Sequence, residues 1–256
     1  MKINNKTVLI TGASSGIGKA LAKLFAKERN KLILIARRTE KLEELKDELS
    51  GNNGEIYLYK CDVSNSSEVS NTFADIKTNF DSIDIAIFNA GQSYLMSVKN
   101  FDSHKAEAII GTNFFGIVYP LEQLLPLFLE RKSGTIVGVS SLADNRGFAG
   151  SGFYCASKAA VSVYLEGLSV ELKKYNVKVI TVKPGFVKTA MTAKNNFPMP
   201  MLMPVDKAAS IIFNGIKKGK RIIQFPLPMV ISSRLIGLLP AGIYEFLASK
   251  FDRKRK

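Results

Sequence analysis

Thr11-Gly12-Ala13-Ser14-Ser15-Gly16-Ile17-Gly18 follows a short β-rich apolar run, Thr7 to Thr11, and opens an amphipathic stretch from Ser15 to Arg29. Three glycines at a strand-to-helix turn let the chain bend tightly, let backbone approach a phosphate and let the helix pack close to the sheet. The helix N-terminus adds N–H donors and the positive end of its dipole. A dinucleotide pyrophosphate has the shape and charge for such a turn. The spacing G-x-x-x-G-x-G departs from the common G-x-G-x-x-G fingerprint, so the octet alone also fits a plain glycine-rich loop.

Outward from this turn, the same rhythm runs to the end of the chain. Lys31 to Ala36, Ile56 to Lys60, Ile83 to Phe88, Gly134 to Ser140, Val177 to Lys183 and Arg221 to Phe225 join Thr7 to Thr11 as β-rich apolar runs. Amphipathic stretches such as Thr39 to Leu49, Ser103 to Glu130 and Phe153 to Tyr175 separate them. Strands apolar on both faces and joined by helices predict a parallel sheet covered on both sides. The expected fold is α/β: a Rossmann-like, doubly wound parallel sheet of about seven strands, binding its ligand at the strands' carboxyl ends.

With 256 residues, 46% hydrophobic and only two Cys, the chain can bury a core and is neither disordered nor a disulfide scaffold. Cys61, Cys155 and the single His104 are too far apart in sequence to suggest a zinc site. The net charge of +14 raises nucleic acid as a partner, but residues 216 to 256 hold ten Lys or Arg against Glu245 and Asp252, more than half of the excess. Such a basic end suits an anionic membrane surface or a solvated terminus at least as well, and it lacks interleaved aromatics, so no nucleic-acid partner is expected. No apolar leader stands at residues 1 to 6, and the longest run free of charged residues is 14, short of a membrane span. A cytoplasmic protein is expected.

Further motifs follow in order. Asn89-Ala90-Gly91 ends the fourth strand, Asn113 lies in a mid-chain helix, Ser141 stands thirteen residues before Tyr154, and Tyr154-Cys155-Ala156-Ser157-Lys158 reads Y-x-x-x-K. Pro184-Gly185-Phe186-Val187-Lys188-Thr189 follows the sixth strand. Together with T-G-x-x-x-G-x-G at residues 11 to 18, these make the chain resemble the short-chain dehydrogenase/reductase family over about residues 5 to 225. The resemblance implies that Ser141, Tyr154 and Lys158 are catalytic, with Asn113 holding a water in a proton path. It places a nicotinamide dinucleotide along Gly12, Ser14, Ser15, Gly16, Ile17, Gly18, Asp62, Val63, Asn89, Ala90, Gly91, Pro184, Gly185, Val187 and Thr189. Tyr154 and Lys158 would also touch it, the lysine at the nicotinamide ribose.

The residues support these roles independently. Of eight tyrosines only Tyr154 has Lys four residues on, one helical turn away, where an ammonium would favour the phenolate. That draws a phenol of pKa about 10 toward neutrality and suits proton exchange with a carbonyl or alcohol oxygen. Ser141, at a strand's carboxyl end, can donate to the same oxygen; Ser140 would face the other way. Asn113 also reads as an Asn bonding backbone at a helix irregularity. Ala36 stands where NAD-dependent relatives carry Asp, and Arg37 and Arg38 follow. Guanidinium forks match phosphate, so NADP(H) is expected over NAD(H), with Arg37 first, Arg38 second and Ser14 as a hydroxyl partner.

His104, in Phe101-Asp102-Ser103-His104, reads as a helix start rather than a hydrolase triad, since no G-x-S-x-G elbow exists. The loop 190–204 carries four of the seven Met, and Leu95, Met96, Leu142, Phe148 and Phe153 could wall an apolar substrate: a lipid, steroid-like or aromatic ketone or alcohol. Residues 1–226 are expected to form the dinucleotide-binding and catalytic domain. Residues 227–256 form an apolar and basic extension with helical spacing on either side of Pro240, which either lies on a membrane or packs on its own domain or a second subunit of a homodimer or homotetramer. A catalytically silent dinucleotide sensor on the same fold is the alternative function.

Overall fold

The computed structural model describes residues 2–52 and 54–253, with side chains through Lys250. Seven parallel strands form one sheet in the order β3-β2-β1-β4-β5-β6-β7. They are β1 Thr7–Thr11, β2 Lys31–Ala36, β3 Ile56–Lys60, β4 Ile85–Phe88, β5 Gly134–Val139, β6 Val177–Pro184 and β7 Ile222–Phe225. Alternation along the strands explains the two faces. Val8, Ile10, Leu32 and Leu34 meet helices α1 Gly16–Ala26, α2 Thr39–Glu48 and α7 Val205–Lys217 on one side. Leu9, Ile33 and Ile35 meet α3 Ser66–Asn79, α5 Gly116–Arg131 and α6 Gly152–Glu171 on the other. The doubly wound parallel sheet expected from the sequence is the observed fold. Between β1 and β4 the strand order reverses, which opens a crevice at the carboxyl ends.

The sequence reading and the structure part company at a few boundaries. β4 begins at Ile85 because the Asp84 carboxylate turns back to accept from the Thr7 N–H at 3.0 Å and to pair with Lys6 and Arg131. The single helix expected from Ser103 is α4 Ser103–Ile110, a π-helical turn at Gly111–Phe115, and α5. This run, Ser103–Arg131, has the length and hydropathy of a membrane span, yet it lies across the sheet, with Ile109, Ile117, Leu121, Leu124 and Phe128 in the core. α6 tightens into a 3₁₀ turn at Leu172–Tyr175. Beyond β7 the extension forms α8 Leu227–Leu238 and α9 Ala241–Arg253; Lys254, Arg255 and Lys256 of the basic end, and the side chains of Phe251 and Arg253, lie outside the described residues.

Candidate active site

A cleft of about 430 Å³ opens over the carboxyl ends of the strands. At its centre Gly12 has φ +66° and Gly16 φ +56°, both in the left-handed region, and a Cβ on Gly12 would come within 2.7 Å of the Ala90 Cα. Thr11 pins the facing strand end, its hydroxyl accepting from Asn89 N–H at 3.1 Å and Ala90 N–H at 3.2 Å. α1 starts without a side-chain cap and without an acidic residue in its first turn, whereas α3 is capped by Asn65, which accepts from the N–H groups of Ser67 and Glu68. Four N–H donors at the start of α1 are thus left for an external anion. The glycine loop and this bare helix end fit a dinucleotide pyrophosphate.

At one end of the cleft the chain leaves β2 as Arg37-Arg38. Arg37 is more than half exposed and pairs with the Asp62 carboxylate at 3.3 Å. The Arg38 guanidinium instead donates to the hydroxyls of Ser14 and Ser15, 3.0 Å each. Burial works against ionisation of Asp62, but hydrogen bonds from Ser64 and the Arg37 guanidinium outweigh it and hold the carboxyl below its usual range. At the other end Ser141 follows β5, and Tyr154 and Lys158 share a face of α6. Ser141 stands beside the Tyr154 hydroxyl and favours its ionised form, while the Ser141 Oγ accepts from the Ala143 N–H at 3.1 Å. Lys158 is buried, its Nζ donating to the Val139 carbonyl at 2.9 Å and lying 5.8 Å from the centre of the Tyr154 ring.

The profile of the short chain dehydrogenase family matches residues 6–199. The chain belongs to the short-chain dehydrogenase/reductase family. It is an oxidoreductase of the class that acts on CH–OH and C=O groups with NAD(P) and a small-molecule substrate. An uncharacterized oxidoreductase of Myxococcus xanthus is 34% identical over 97% of this chain and 98% of its own length. A fatty acyl-CoA reductase of Acinetobacter baylyi is 33% identical over 86% of this chain and 76% of its own. Among solved structures, a short-chain dehydrogenase from Sphingobium yanoikuyae in complex with NADPH superposes with a TM-score of 0.82 at 26% identity, covering 95% of each chain. One from Burkholderia phymatum in complex with NAD gives 0.84 at 22% identity, covering 92% of this chain and 94% of its own. The first of these carries NADPH and the second NAD.

Every site residue expected from the sequence lines the cleft except Gly18 and Asn113. Gly18 sits beneath the loop, where a Cβ would fall 2.4 Å from the Gly12 carbonyl oxygen; it lets α1 close on β1. Asn113 is fully buried at the π-helical turn. Its Nδ2 donates to Gln92 O at 3.0 Å and Ser157 Oγ at 2.9 Å, and its Oδ1 accepts from Gln92 N–H at 2.7 Å. Its side chain thereby positions the Gly91-Gln92 segment at this helix irregularity. Burial pushes the Tyr154 phenol up from its ordinary value, and Ser141 beside it only partly opposes this. Lys158 is pushed down to about 8 by the same burial.

The apolar walls differ from the expectation. Of the four loop methionines Met191 lines the cleft, Met203 is in the core and Met201 is exposed; Leu95, Met96, Leu142, Phe148 and Phe153 do not line it. Gln92, Ser93, Tyr94, Ala190, Thr192 and Lys194 do, although no motif marks them beyond adjacency to Gly91 and Thr189. Below the catalytic end lies a network that sequence spacing could not reveal. The Asp144 carboxylate, 2% exposed, pairs with Lys183 Nζ of β6 at 2.6 Å and accepts from Ser162 of α6, whose Oγ also lies 2.8 Å from Ser140 Oγ. Ser140 in turn donates to the Lys158 carbonyl at 2.8 Å. His104 stands at the start of α4, where Asp102 accepts from its backbone N–H at 3.1 Å. Among the described residues no three His, Cys, Asp or Glu side chains gather to hold a metal ion.

Proposed function

We propose that this short-chain dehydrogenase uses NADP(H) to interconvert a carbonyl and an alcohol on an apolar substrate, with residues 1–226 carrying the site and 227–256 forming an accessory extension. The observation that carries the reading is the convergence, in one cleft, of the bare α1 N-terminus with the Ser141, Tyr154 and Lys158 cluster. The nicotinamide, when bound, exchanges a hydride with the substrate's carbonyl carbon. Tyr154 gives the proton to the carbonyl oxygen in reduction and takes it back in oxidation. Ser141 donates to the same oxygen and stabilises negative charge developing there. Lys158 holds a positive charge beside the phenol and the nicotinamide ribose.

NADP(H) is favoured because Ala36 ends β2 with no carboxylate to repel a 2′-phosphate. Arg38, bound to Ser14 and Ser15, is the first partner for that phosphate, and Arg37, already paired with Asp62, the second. Asp62 and Val63 then border the adenine. An apolar substrate is supported by Tyr94 and Met191 at the cleft wall and by the acyl-CoA reductase named above. Purified protein should oxidise NADPH, and NADH more weakly, against apolar ketones or aldehydes. Tyr154→Phe should lose turnover by at least about a hundredfold while binding NADPH normally. Retained turnover in that variant would overturn the catalytic assignment, and NADPH binding with no turnover on any carbonyl would favour a dinucleotide sensor.

A further inference from the structure

The two C-terminal helices are each held to the domain on one side and leave apolar side chains exposed on another. Arg146 donates to the carbonyls of Ile236, Gly237 and Leu239, the Ser233 hydroxyl to the Leu142 carbonyl at 2.8 Å, and the Tyr244 hydroxyl to the Gly147 carbonyl. On α8 only Val230 is buried. Leu227, Ile231, Leu235 and Leu238 are 51 to 81% exposed, and at about 100° per residue they share an arc of about 80°. On α9, Ile243, Phe246 and Leu247 are 42 to 60% exposed and form a second apolar stripe within an arc of about 100°.

The charges on these helices follow the stripes. Exposed Arg234 falls on the edge of the α8 arc, and exposed Lys250 falls inside the α9 arc with its Nζ 4.2 Å over the Phe246 ring. Glu245 lies about 200° from Ile243, on the opposite side of α9. The sequence ends Arg253-Lys254-Arg255-Lys256. An apolar band edged by long cationic side chains, with the acid turned away, complements an anionic lipid surface, where the alkyl stems lie along the acyl boundary and the charges reach the headgroups. Two copies of this chain meeting at the same face would bring these cations toward one another. At 12 residues α8 is too short to cross a bilayer.

We propose that α8 and α9 dock this protein on anionic membrane surfaces. The loop that holds the two helices continues into exposed Phe148, and through the Met96 N–H to Gly150 carbonyl bond it joins the segment bearing exposed Tyr94, Leu95 and Val98. Tyr94 also lines the cleft. Exposed apolar side chains thus connect the loop that holds the two helices to the wall of the cleft, and, resting on the reading of an apolar carbonyl substrate, the substrate class becomes one that partitions into lipid.

Flotation of the purified full chain with vesicles tests the docking without reference to turnover. Vesicles of equal parts phosphatidylcholine and phosphatidylserine should carry the protein, phosphatidylcholine alone should carry little, and added salt should release it as the charges are screened over about 10 Å at 0.1 M. Leu235→Glu with Leu238→Glu should lower retention about tenfold or more with unchanged melting temperature and NADPH binding, since both positions are exposed. Arg234→Ala with Lys250→Ala should lower it about tenfold. Failure of wild-type protein to float with phosphatidylserine vesicles at low salt overturns the proposal. So does an oligomer that the Leu235→Glu, Leu238→Glu change dissociates while vesicle retention is unaltered, because a second copy would then cover this face. NADPH oxidation with a water-soluble ketone, assayed alongside, reports separately on the proposed activity.

Discussion

The two ends of the cleft handle charge in opposite ways. At the catalytic end Lys158 is 4% exposed and the Asp144 side chain 2%, so desolvation governs them and every partner counts. At the ribose end the Arg37 side chain is 59% exposed, and its pair with Asp62 is wet and screened. The same residue types therefore carry different weights at the two ends. Removing a charge at the buried end should disturb stability and chemistry together, whereas removing one at the exposed end should shift preference between cofactors and leave the fold alone.

The sharpest test of the buried end is the Asp144–Lys183 pair. One oxygen of Asp144 has no hydrogen-bond partner and the other depends on Lys183 and Ser162. Lys183→Met strands a buried carboxylate and should cost about 3–5 kcal/mol of unfolding free energy at neutral pH. Adding Asp144→Asn should restore most of that loss, because the double variant leaves no uncompensated charge. Denaturant unfolding of the four proteins gives the cycle. Equal and additive losses would show that the pair is exposed in solution and would erase the contrast between the ends.

How much of this was legible beforehand follows the same division. β1 and β2 match the apolar runs read from the sequence, because buried parallel strands are continuous apolar segments bounded by turn residues, and the half-buried edge strand β3 matches as a run of Ile, Leu and Tyr. The glycine loop and Tyr154 with Lys158 were legible because each is a local spacing. Asp144, Ser162 and Lys183 stand on three different elements, so only the fold brings them together. The ribose end was legible as residue types and not as geometry: Arg37 and Arg38 are adjacent, but Asp62, 24 residues on from Arg38, decides which of them is already engaged. The Asn113 side chain holds Gln92 and Ser157 at the helix irregularity, partners that carry no recognisable spacing in the sequence.

A smaller effect is expected from Lys158 itself. Its folded pKa of about 8 lies below the unfolded 10.5, so the folded state binds fewer protons between these values. Below pH 8 the ammonium is charged in both states and its burial subtracts from stability; as pH rises from about 8 to 10.5 that penalty is relieved. Wild-type stability should therefore climb across this window, relative to Lys158→Met, by on the order of 1–3 kcal/mol. Urea unfolding of both proteins at intervals from pH 7.5 to about 10.5 measures it. Parallel profiles would mean that the lysine is hydrated and that the catalytic end is no drier than the other.

The smallest effect is expected at the exposed end, and it sets Arg38 against Arg37. Arg38 already directs its guanidinium at the hydroxyls of Ser14 and Ser15, beside the start of α1, while Arg37 must leave Asp62 before it can meet a phosphate. Arg38→Ala should therefore cut the preference for NADPH over NADH by on the order of 1–2 kcal/mol, and Arg37→Ala by less. NADH affinity should hardly change in either variant, since the α1 N-terminus still receives the pyrophosphate. Melting temperature should stay put as well, because neither side chain is buried. Fluorescence titrations of both cofactors at low and raised salt read all of this, with the wild-type preference itself shrinking as salt screens the 2′-phosphate. A larger loss of preference from Arg37→Ala would reverse the order of the two arginines and show that Asp62 steers Arg37 onto the phosphate rather than holding it back.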